Sequence, residues 1–119
     1  MATYSRVLLS GSTSGLPIIV VGTTTGTSNL IHLSTAGGAA FDEVYAWASN
    51  VTASAATLTI EWGSVTDPGG HIVKQVSIPA NSPPIPIATG QVLNGALNIK
   101  AFGGTASAIN ITGYVNRIV

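Results

Sequence analysis

Phe41-Asp-Glu-Val-Tyr-Ala-Trp-Ala-Ser-Asn50 and, a short turn later, Thr57-Leu-Thr-Ile-Glu-Trp62 decide how this chain folds. Side chains in a β-strand alternate faces with period 2. In the first segment Tyr45 and Trp47 therefore share one face, while Val44, Ala46 and Ala48 share the other. In the second, Leu58, Ile60 and Trp62 point one way and Thr57, Thr59 and Glu61 the opposite way. This is the cleanest alternation in the sequence. Both tryptophans of the chain lie here, and a large ring buries ~150–250 Å², so the core is expected to form around Val44, Tyr45, Trp47, Leu58, Ile60 and Trp62. Leu97, Ile99, Ile109 and Ile111 are expected to join it from later segments.

Outward from this pair the chain continues to read as short strands. Thr3–Leu9 opens it and Gly11-Ser-Thr-Ser-Gly15 turns it; Leu16–Val21, rich in β-branched residues, and Asn29–Ser34 follow. His71–Ile78 is a strand with Ile72, Val76 and Ile78 on one side, preceded by a turn at Asp67-Pro-Gly69, where Asp, Pro and Gly each supply turn chemistry. Pro79–Pro86 excludes a central strand because proline lacks the ladder donor. Asn94-Gly95 is a signal for a two-residue hairpin turn. Ala108–Ile118 sets Ile109, Ile111, Gly113 and Val115 against Asn110, Thr112, Tyr114 and Asn116. Eight to ten strands at intervals near ten residues, without helical periodicity, predict an all-β chain: one antiparallel β-sandwich domain over residues 1–119, in jelly-roll or immunoglobulin-like order.

Charged residues make up only 7% of the 119 residues, against roughly 25% in ordinary soluble domains, and mean hydropathy is +0.47. Arg6, Lys74, Lys100 and Arg117 are scattered against Asp42, Glu43, Glu61 and Asp67, for a net charge of zero. Four dispersed cations assemble no basic face, so no nucleic-acid partner is expected. The apolar run Leu16–Val21 falls far short of the ~18 residues of a spanning helix, and no apolar leader segment follows Arg6. No membrane partner is expected. Cysteine is absent, which removes disulfides and thiolate chemistry together. A neutral, weakly charged surface favours self-association, so copies of the chain or a larger assembly are expected to cover much of it.

Candidate chemistry is sparse. His32 and His71 match no zinc spacing and are expected at surface or edge positions, His71 with a local hydrogen bond to Asp67. Asp42 and Glu43, adjacent in a strand, point to opposite faces and form no acid and base pair. Glu61 couples with Glu43 only if their strands pair; a solvated or salt-bridged glutamate is the ordinary expectation. The serines form no Gly-x-Ser-x-Gly, Ser-x-x-Lys or triad pattern. No catalytic residue, metal site or cofactor is expected, and no enzymatic activity. Tyr45, Trp47, Trp62 and Tyr114 offer a sugar platform as the rival to a core role. Asn50-Val-Thr52 and Asn110-Ile-Thr112 match glycosylation acceptors, read as accidental.

Tyr4-Ser-Arg-Val-Leu-Leu-Ser-Gly11, Phe41–Asn50, Leu58-Thr-Ile-Glu-Trp-Gly63 and Gly113-Tyr-Val-Asn-Arg-Ile118 together resemble small virion proteins encoded among the head genes of tailed bacteriophages. The resemblance implies a capsid decoration (cement) protein made in the host cytoplasm. Such a subunit clusters, often as a homotrimer, on the outer surface of the head and clamps the major capsid protein. It carries over no catalytic residue. A tail or fibre component, including a carbohydrate-binding or host-attachment module, fits the same phrases. Extended, apolar or proline-bearing stretches nominate Tyr4, Arg6, Leu8, Ile18, Val20, Pro83, Ile85 and Ile87 as oligomer or capsid contacts, with closure of the domain's own core as the alternative for each.

Overall fold

Among the described residues, nine strands and one 3-10 turn follow in chain order: β1 (Tyr4–Leu8), β2 (Ile18–Val20), the turn Thr25–Thr27, β3 (Asn29–Leu33), β4 (Phe41–Asn50), β5 (Ala56–Trp62), β6 (His71–Ile78), β7 (Ile85–Leu93), β8 (Asn98–Gly103) and β9 (Ile109–Ile118). The computed structural model describes residues 3–64 and 69–119. The turn expected at Asp67-Pro-Gly69 lies for its first two residues outside them.

All pairings are antiparallel and fall into two sheets. Sheet A has the order β1-β9-β4-β7, with β2 continuing the β1 position along β9; sheet B has the order β3-β8-β5-β6. From β2 onward every connection except β5 to β6 crosses from one sheet to the other. That alternation is jelly-roll connectivity, which decides between the two orders the sequence left open. β4 and β5, the two segments that announce the fold, lie in opposite sheets and do not pair. Glu43 and Glu61 therefore form no couple. The Asn94-Gly95 turn likewise carries the chain from sheet A to sheet B instead of closing a tight hairpin.

Register fixes which face is inside. β9 brings Ile109, Ile111 and Val115 opposite Asn50, Ala48 and Val44, and a slip of one residue would send the whole set to solvent. The core is the aliphatic set Val44, Leu58, Ile60, Ile99, Ile109, Ile111 and Val115, with Ile18, Val20, Ile31, Ile78 and the small Ala46, Ala48 and Ala101. Tyr45 and Trp47, expected inside, lie on the other face of β4, only half-buried. The alanines explain this: small side chains on the inner face of β4 let the isoleucines of β9 and β5 fill the space between sheets. Trp62 is half-buried and packs against the core. Leu97 precedes β8 and is 44% exposed.

Contacts nominated from the N-terminal segment divide. Tyr4, Arg6 and Leu8 are exposed, whereas Ile18 and Val20 point inward and are buried with Ile19 exposed between them, so β2 turns one face to the core. Pro83 is exposed, while Ile85 and Ile87 pack partly against the core. β7 is the edge strand its Pro86 requires. In β6 the expected stripe breaks up: Ile72 and Val76 are exposed and Ile78 buried, with register shifts against β5 and Gln75 at φ 49°.

Candidate interaction surface

The solvent side of sheet A collects the aromatic residues that the core does not use. Register places them in rows across the strands: Tyr4 beside Ile118 beside Phe41, Arg6 beside Asn116 beside Glu43, Leu8 beside Tyr114 beside Tyr45. Trp47 and Thr112 form the next row of β4 and β9. Tyr45 and Tyr114 stack with ring centroids 5.1 Å apart at 17°, and Trp47 tilts toward Tyr114 at 6.2 Å and 32°. The first spacing is close to the ~4.8 Å between strands, so the rings stand side by side like fins. The Arg6 guanidinium carbon lies 4.6 Å from the Tyr114 ring centroid, within cation–π range. With β1 and β4 flanking β9 on opposite sides, Arg6 covers one face of Tyr114 and Tyr45 the other.

Glycine makes room for this arrangement at Gly90 on β7, where an added Cβ would sit 3.0 Å from the Tyr45 hydroxyl oxygen. Tyr45 leans over that gap. Tyr4, 69% exposed, with Leu8, Ile19 and Val92, extends the apolar surface to both margins. Beyond Phe41 and Val92 it continues into a cavity of about 350 Å³, also lined by Leu93, Asn94 and Leu97.

A buried polar cluster anchors the same sheet from inside. Asp42, fully buried, accepts bonds at Oδ1 from Arg117 Nε (2.8 Å) and at Oδ2 from Arg117 Nη2 (3.0 Å), His32 Nε2 (2.8 Å) and the Thr35 amide (3.1 Å). Burial alone would raise the Asp42 carboxyl; the bonds from Arg117, His32 and Thr35 and the guanidinium charge outweigh it and hold the group below its ordinary value. The Asp42 hydrogen bond in turn raises Arg117. His32 accepts from the Ser10 amide at Nδ1, which assigns the proton to Nε2. Both ring nitrogens are committed and the ring is buried, so His32 has no atom left for a substrate. Its burial corrects the expected edge position. The bulge between Leu30 and His32 is the cause, because it lets consecutive residues Ile31 and His32 both turn inward.

Glu61 also departs from expectation: it is 1% exposed and accepts from the Thr25 hydroxyl at 3.0 Å. It borders a cavity of about 380 Å³ shared with Ser64, Asn98 and Lys100. His71 stands opposite Glu61 in register; its expected partner Asp67 lies outside the described residues. Among the described residues no three His, Cys, Asp or Glu side chains gather as a metal site would require. Asn50 is buried, and its Nδ2 donates to the carbonyls of Ser54 (2.8 Å) and Ile78 (3.1 Å). That nitrogen serves the fold, and in the folded chain it is inaccessible to a glycosyl transferase.

Comparison of the chain with protein-family models, curated proteins and solved structures finds no match in any of the three. The exposed face of sheet A is thus argued from its own chemistry. Its strands were legible in the sequence; its outward orientation was not, because alternation defines two faces without saying which is inside.

Proposed function

We propose that this chain is a non-enzymatic virion protein of a tailed phage that self-associates and binds the outer surface of the head, its partner there being the major capsid protein. One observation carries the reading: a face of aromatic and aliphatic side chains, with Arg6 and Glu43 as its only charges among the described residues, stands uncovered on a chain that is 7% charged. Contiguous apolar surface of this kind marks interaction sites. Attachment works by addition. Each copy buries modest apolar area against lattice neighbours, and an oligomer, a trimer as the resemblance implies, multiplies the contacts into avidity.

A carbohydrate-binding role in a tail or fibre is the second reading, favoured by the same exposed rings and by the occurrence of jelly rolls among lectins. Sugar stacking needs free ring faces, and both faces of Tyr114 are taken. Trp47, Tyr4 and the outer face of Tyr45 are left as candidate platforms, and a glycan array tests them.

Electron microscopy of heads assembled with and without the chain tests the first reading, together with sedimentation of the isolated protein. Extra density over the capsid and an oligomer in solution are the expected results. Copies that stay monomeric and leave heads undecorated would overturn it.

A further inference from the structure

We infer that the solvent side of sheet A is the surface on which two copies of this chain pair face to face about a two-fold axis, with Arg6 of each copy meeting Glu43 of the other. The inference rests on the self-association proposed above and names the surface that performs it, as a two-fold pair in place of the trimer that the resemblance implies.

The charges point to a second copy as the occupant. Arg6 and Glu43 occupy one cross-strand row, on either side of Asn116. They stand two strand spacings apart, ~9.6 Å, and neither has an ion-pair partner among the described residues of its own chain. A two-fold axis lying between the paired sheets and parallel to β9 carries each row onto itself with left and right exchanged. Arg6 then faces the partner's Glu43 and Glu43 the partner's Arg6. An isologous contact requires this reciprocity.

The apolar rows obey the same rule. Tyr4 comes to the partner's Phe41, Leu8 to the partner's Tyr45, and Tyr114 lies against its own counterpart.

The axis runs along β9, so the β1, β9 and β4 positions overlap while β7 of each copy overhangs. Three strand positions at ~4.8 Å and strands of ten residues at ~3.4 Å each cover ~490 Å² per copy. The total of ~980 Å² is that of a weak, reversible pair, below the ~1,200–2,000 Å² of stable complexes.

Charge reversal with cross-rescue tests the pairing, read by sedimentation equilibrium of the purified full chain, with circular dichroism and urea midpoints confirming that each variant folds. Arg6→Glu or Glu43→Arg alone creates two like-charge contacts by symmetry, and is expected to weaken association by about a hundredfold. The double variant restores opposite charges at both contacts. So does an equimolar mixture of the two single variants, one copy presenting two acidic groups and the other two basic ones; both samples should return to within about tenfold of the native constant.

A native oligomer indifferent to either reversal would overturn the pairing and leave the proposed function standing, as would single variants that neither the mixture nor the double variant rescues. A native chain that remains monomeric would overturn both.

Discussion

Replacing Asp42 by Asn keeps the shape of the side chain and removes its charge at the point where four elements meet. Oδ1 receives Arg117 Nε, while Oδ2 receives Arg117 Nη2, His32 Nε2 and the Thr35 amide. Every position around the carboxylate is therefore a donor. Whichever way the amide turns, its NH2 group faces another N–H, and at best it faces Arg117 Nε. Breaking a buried ion pair from one side costs ~3–5 kcal/mol. Here the lower end applies, because the Arg117 side chain is 32% exposed and recovers water, whereas the buried His32 N–H does not. The expected loss is ~3 kcal/mol, or a fall in Tm of roughly 12 °C for a domain of this length, measured by urea and thermal unfolding at one protein concentration. The pH dependence has a definite sign. The Asp42 carboxyl is held below 3.8 in the folded chain, so its contribution is complete above that value and disappears as pH falls through the folded value. The native protein should lose stability on acidification in a step that Asp42→Asn lacks. A loss under ~1 kcal/mol, or an identical acid profile, would show that the cluster does not hold the sheets as argued.

Other perturbations separate the layers of the fold. Leu58→Ala opens a cavity at a fully buried position between the sheets and should cost ~2–5 kcal/mol in urea unfolding. Gly113→Ala should prevent soluble expression, since its Cβ would come within 2.1 Å of the Tyr45 carbonyl oxygen and 2.9 Å of the Ala46 Cα; the same change at Gly26, where the nearest atom is 4.0 Å away, should leave expression intact. Asn50→Ala strips the acceptor from Thr52 and both donors from the Ser54 and Ile78 carbonyls, and a loss of ~2 kcal/mol is expected. Tyr114→Ala removes the fin held between Arg6 and Tyr45. It should weaken self-association in sedimentation while shifting the urea midpoint only slightly.

Much of the fold was written in local patterns. The ten-residue alternations of β4 and β9 give their own strand positions, and Pro86 marks β7 as an edge before any pairing is known. Local pattern fails wherever a distant strand decides. The face of β4 carrying Val44, Ala46 and Ala48 is less bulky than the one carrying Tyr45 and Trp47, yet it is inside because β9 delivers Ile111 and Val115 to it. His32 looked peripheral because nothing near it in sequence signals the bulge that turns it toward Asp42. Of the interaction surface, Tyr4, Arg6 and Leu8 were nominated by the sequence on the same grounds as Ile18 and Val20, which are buried, so local pattern did not separate outside from inside; Tyr45, Trp47 and Tyr114 became legible only once sheet A had a known inner side.

β9 is the strand against which β1, β2 and β4 are all aligned, and it follows all three along the chain. Half of the sandwich therefore has no template until β9 has been made, and the nascent chain must carry its isoleucines and valines unsheltered until then. Folding should be slow, as expected where neighbours in space are remote along the polypeptide. A ribosome stalled before residue 109 should hold a protease-sensitive chain, and emergence of the ten residues of β9 should be what makes it resistant.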